Sequence, residues 1–179
     1  MHHNDIPGLY RRGWHAPSCV YSNLAFFMAM SMPPSWNLPW MFTMWAVGTA
    51  STVFHATMDS TWRLVDNASC ALFELICMGT MWGWDMSWTV ASAPLLFLAQ
   101  HAVSSGFEVD AVLVFSNLGS LWWHGHYDVL AIVIISFGFW YQNMLGSRPL
   151  AWCHAMFHIG MAVSGWMIWA RHFPPMSPK

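Results

Sequence analysis

Ser51-x3-His55, an aspartate eleven residues further on at Asp66, and His154-x3-His158 set a hydroxyl, a carboxylate and three imidazoles within strongly apolar sequence. Polar groups in such surroundings are costly and need a reason to be there. Three histidines, a carboxylate and a hydroxyl are the components of a zinc hydrolase site. Residues four apart share a helix face, so Ser51 and His55 point one way, and His154 and His158 do the same. An i,i+4 histidine pair binds one metal ion. One histidine from a second helix makes three protein ligands and leaves the fourth position to water, as in catalytic zinc sites. Zinc brings the pKa of such a water towards about 7. Asp66 is placed to take the proton and pass it to a leaving group. Ser51 is placed to donate a hydrogen bond to a developing oxyanion, or to hold the water or a ligand. Any one of the five, taken alone, reads equally as a polar core residue bonded across helices. The set as a whole favours a site.

The elements that carry these residues are apolar. The chain has 179 residues, 56% hydrophobic and 8% charged, against about 25% charged in soluble domains. That leaves too little polar surface to face water on every side. The expected fold is all-α: an integral membrane bundle of seven transmembrane helices. Six basic residues and a net charge of -2 cannot make a nucleic-acid footprint. Fourteen tryptophans suit two aromatic belts at membrane interfaces, and a packed core would use them as well. Cys19, Cys70, Cys77 and Cys153 lie in or beside apolar stretches without paired spacing and read as buried thiols. Cys153 adjoins His154, but neighbouring helix positions point about 100° apart, which argues against a shared ligand role.

Hydrophobic runs broken by Pro, Gly or charge fall at about 18–32, 38–57, 62–82, 87–104, 108–123, 128–146 and 149–170. Runs one and five are short for a bilayer, and a six-span alternative leaves 18–32 in the interface. Residues 1–17 form a polar N-terminal segment without the apolar run of a signal peptide. Residues 18–171 form the membrane domain, and 172–179 a tail. The links are short, so neighbours in sequence pack antiparallel. Asp59, Ser60 and Thr61 are natural caps for the third helix, Pro39 opens the second, and Pro94 should kink the fourth. Pro33-Pro34-Ser35 should end the first helix, and Gly146 the sixth ahead of Pro149.

With the N-terminus on side A, helix two ends, helix three begins and helix seven begins at that side. His55, Asp66, His154 and His158 therefore share a depth. Arg11, Arg12, Arg63 and Arg148 lie on side A, against Arg171 and Lys179 on side B. The positive-inside rule then puts the N-terminus and the site on the cytoplasmic, matrix or stromal face. Glu74, two turns deeper than Asp66, should bond across helices, with a cavity-lining role as the alternative. Residues 122–128, with His124, His126 and Asp128, look like a second metal cluster but fall at a side-B turn, where an aromatic interfacial role is favoured.

The run Ala50-Ser51-Thr52-Val53-Phe54-His55-Ala56-Thr57 through Leu64-Val65-Asp66 resembles the second and third helices of alkaline ceramidases. His154-Ala155-Met156-Phe157-His158 resembles the same family's last helix. These enzymes belong to the CREST superfamily of seven-helix membrane hydrolases. The motifs cover about 50 residues, and the helix count extends the resemblance over the chain. The resemblance implies a zinc-dependent amide hydrolase that splits ceramide into a sphingoid base and a fatty acid. His55, His154 and His158 would bind Zn2+, with Asp66 and Ser51 assisting. It also implies an endomembrane (ER or Golgi) location, an organellar inner membrane being the alternative. The chain departs from the family in three ways. Residues 13–18 lack the acidic, calcium-binding stretch, Asn67 stands where an acidic residue is common, and the chain is short. These departures keep open a catalytically silent accessory subunit of a larger membrane complex. A receptor-like seven-helix protein is disfavoured by the absence of an extramembrane domain.

Overall fold

The computed structural model describes residues 16–32, 36–102, 107–145 and 151–173. The described residues are helical, with no strand among them. In chain order the helices are α1 (Ala16–Ser22), α2 (Leu24–Ser31), α3 (Leu38–Thr57), α4 (Ser60–Trp82), α5 (Met86–Ala91), α6 (Ala93–Ala102), α7 (Phe107–Trp123), α8 (Tyr127–Leu145) and α9 (Ala151–His172). They correspond to the seven expected runs, two of which are broken. The first run divides at Asn23. The fourth divides at Ser92, just ahead of Pro94, whose ring would clash with the carbonyl four residues back if the helix continued. The ends of the first and sixth runs, at 33–35 and 146–150, lie outside the described residues, as do 1–15 and 174–179.

Local chemistry sets the boundaries that position the candidate site. Asn37 caps α3 by accepting from the Trp40 N–H at 3.2 Å, with Pro39 in the first turn. At its other end Met58 takes the left-handed conformation (φ 56°) and its N–H closes onto the Phe54 carbonyl. Asp59 follows at once as the cap of α4, accepting from the N–H groups of Thr61 and Trp62 at 2.8 and 3.2 Å. Two residues thus turn the chain through a full reversal, and α3 and α4 pack side by side.

Helices α3, α4 and α9 form the centre, with α1 and α2 across α3 and α9, α7 against α4, and α8 against α9. The buried stripe of α3 runs Trp40, Met44, Val47, Ser51 and His55, at three- and four-residue steps. Trp40 and Trp169 are fully buried and stack at 5.9 Å, and the Trp40 indole N–H donates to Thr80 Oγ1 at 2.9 Å. Close approach of α8 to α9 depends on Gly160, where a Cβ would fall 1.8 Å from Ser136 Oγ. Gly165 does the same for α9 on α3 and α4, with Phe73 at 2.5 Å and Met44 at 2.9 Å from an added Cβ.

The outside is apolar. Trp36, Trp88, Leu38, Phe115 and Leu95 are among many large hydrophobic side chains facing outward, Trp36 at 82% exposure. Of the described helices, α4 is long and apolar enough by itself to cross a bilayer. Trp36, Trp82, Trp84, Trp88, Trp122, Trp123 and Tyr127 are exposed near one end of the bundle, at the start of α3, the α4–α5 link and the α7–α8 link.

Candidate metal centre

The three histidines meet. The ring centroids of His55 and His154 are 4.9 Å apart, those of His55 and His158 5.2 Å, and those of His154 and His158 4.6 Å. His154 Nε2 and His158 Nε2 face each other at 3.0 Å. Two nitrogens bound to one tetrahedral zinc at about 2.0–2.1 Å would stand about 3.3 Å apart, so this pair has nearly that spacing. His55 and His158 are buried, at 1% and 6% exposure. His154 is half-buried.

A serine that the sequence reading passed over orients this set. Ser22 Oγ donates to the Cys19 carbonyl at 2.9 Å and lies 2.9 Å from His158 Nδ1. A hydroxyl has one proton. With it given to Cys19, Ser22 can only accept from His158, which fixes the proton of that imidazole on Nδ1. Its Nε2 lone pair is then bare and faces His154. A ligating histidine is usually held this way, its other nitrogen donating to a neighbouring acceptor.

Cys19 is the second residue missed. Its Sγ and one nitrogen each from His55 and His154 all lie within 4.8 Å of one another. Cys153, the cysteine weighed from sequence, is buried on α9 as a free thiol and is outside this group. Depth was the available signal. Cys19 stands at the beginning of the first helix, on the same side as the end of α3 and the beginnings of α4 and α9.

Ser51 lies one turn before His55 on the buried stripe of α3, at 2% exposure. Asp66 is buried at 8% exposure in the second turn of α4, within electrostatic reach of Cys19. All five residues expected from sequence thus belong to the packed end of the bundle formed by α1, α3, α4 and α9.

The remaining polar residues lie elsewhere. Glu74 is buried and accepts from the Asn117 side-chain amide, a bond across α4 and α7 of the kind expected. At the far end, Gly125 (φ 73°) turns α7 into α8 and His126 Nε2 meets His172 Nε2 at 3.1 Å. Arg171 Nη1 donates to His126 Nδ1 at 3.3 Å and to Asp128 Oδ1 at 2.9 Å. With His126 Nδ1 accepting, its proton sits on Nε2 and is donated to His172. A guanidinium and an N–H aimed inward make this pair a hydrogen-bond relay and unsuited to a cation. No protein-family model, no curated protein and no solved structure matches this chain.

Proposed function

We propose that this chain is an integral membrane, seven-helix, zinc-dependent lipid amide hydrolase of the alkaline ceramidase type. The observation that carries the reading is the clustering of the His55, His154 and His158 rings, from two helices far apart in sequence, with the nitrogens of His154 and His158 facing each other. The apolar exterior and the exposed tryptophans near one end support placement in a bilayer. The donor types suit zinc: His154 and His158 present nitrogens near tetrahedral spacing, His158 is oriented through its far nitrogen, and a His55 nitrogen lies within 4.8 Å of one of His154.

When bound, zinc supplies Lewis acidity towards an amide carbonyl and towards water. The protein residues do the rest. Asp66 takes a proton from water at its carboxylate and returns it to the amine nitrogen that leaves. Ser51 donates a hydrogen bond from its hydroxyl to the oxygen that gains charge, keeping its proton. A long-chain ceramide suits such a site, because its acyl chain and its sphingoid chain can stay against the apolar exterior while the amide reaches the polar end.

The test is ceramide hydrolysis by the purified chain in mixed micelles, with Asp66→Asn as the matched variant. Fatty acid release by the wild type, and a loss of about 10²- to 10⁴-fold in Asp66→Asn at unchanged zinc content, are expected. Equal rates in the two proteins would remove Asp66 from the mechanism. A second reading, a silent accessory subunit on the same scaffold, draws on Cys19, whose thiol lies within 4.8 Å of nitrogens of His55 and His154 and could close the centre to water. Stable co-purification with a large membrane complex and no turnover would select it.

A further inference from the structure

The hydrolytic scheme leaves Cys19 without a task, yet its place among the histidines is specific. Its thiol is free and 1% exposed. Burial alone says little, since cysteine is among the most buried residue types. The geometry says more. Sulfur and nitrogen bound to one tetrahedral zinc, at about 2.3 and 2.0–2.1 Å, stand about 3.6 Å apart. Cys19 Sγ and the nitrogens of His55 and His154 are within 4.8 Å of one another, and His158 Nε2 lies outside that trio, 3.0 Å from His154 Nε2, so closing sulfur and nitrogen on one ion takes a contraction of up to about 1.2 Å. The backbone at Cys19 is tied to the same centre, because Ser22 Oγ bridges the Cys19 carbonyl and His158 Nδ1. Helix α1 packs on both α3 and α9, which carry the three histidines.

We propose that Cys19 is the fourth protein ligand of a closed Cys-His3 zinc centre and regulates it by occupying the position the hydrolytic scheme gives to water. The inference rests on the metal-centre reading above and adds to it the state in which the centre rests. Four protein ligands are the mark of a closed site, and three plus an open position that of a catalytic one. Removing the thiol should therefore open the centre, raising amide hydrolysis several-fold in Cys19→Ala while the metal stays bound.

The deciding experiment replaces zinc by cobalt in the purified full-length chain and records its electronic spectrum. The wild type is expected to bind one cobalt and to show a near-ultraviolet thiolate-to-cobalt charge-transfer band. Cys19→Ala should bind cobalt without that band, and Cys153→Ala should keep it. Cys19→Ser supplies the same comparison if the alanine variant does not fold. Cobalt bound by the wild type without the band, or a band lost in Cys153→Ala and kept in Cys19→Ala, overturns the role of Cys19 and leaves the three histidines standing. Absence of metal uptake by the wild type overturns the metal centre itself and Cys19 with it.

Discussion

Ser22, on the adjoining helix α1, holds His158 of α9, its hydroxyl oxygen 2.9 Å from Nδ1 across 136 positions of sequence. Because the same hydroxyl donates to the Cys19 carbonyl, it can only accept from the imidazole, and the nitrogen facing His154 is left as a lone pair. Ser22→Ala removes that acceptor and frees the ring to turn or change tautomer. The expected result is metal affinity weaker by about 10- to 100-fold, measured by competition with a chelator. Ser22→Thr keeps the hydroxyl and should restore most of the loss. Unchanged affinity in Ser22→Ala would show that His158 needs no orienting partner.

Gly160 and Gly165 let α9 approach α8 on one side and α3 and α4 on the other. An added Cβ at Gly160 would overlap Ser136 Oγ, and one at Gly165 would press on the Phe73 ring and the Met44 methyl. Gly160→Ala and Gly165→Ala should each destabilise the fold by about 1–3 kcal/mol through overpacking. Thermal unfolding in detergent reads this directly. Pairing Gly165→Ala with Phe73→Leu, which removes the obstructing edge of the ring, should recover part of the loss. Wild-type melting in both single variants would mean that the helices are not packed this closely.

The far end of the bundle predicts acid sensitivity. Burial, together with the positive neighbours His172 and Arg171, holds His126 below the ordinary histidine pKa, and burial with His124 and Arg171 does the same to His172. A histidine whose folded pKa is depressed binds fewer protons folded than unfolded. Its stability contribution is complete above the ordinary value of about 6.5 and is lost as pH falls below it. Melting of the wild type should therefore drop between pH 7.5 and 5.5. The drop should be smaller in His126→Gln/His172→Gln, with the difference belonging to this pair. Parallel pH curves for the two proteins would show that the pair is not held neutral.

Much of this architecture can be read from particular residues. Asn37 with Pro39, and Asp59 before α4, announce helix starts, because short polar side chains satisfy the free N–H groups there. The i,i+4 histidines and the serial depth argument place His55 and His154 at one end, since antiparallel neighbours return to the same side. What could not be read was side-chain direction on α1. Seven residues are too few to show a periodic stripe. Cys153 drew attention by adjacency in sequence, whereas in space its neighbour on the helix points elsewhere.

The most direct measurement is the metal content of the purified protein beside His154→Ala/His158→Ala. About one zinc per chain in the wild type, lost in the double variant with the helical content unchanged, is the predicted result. A wild type that carries no zinc after mild purification and takes none up on titration would contradict a metal centre at His55, His154 and His158.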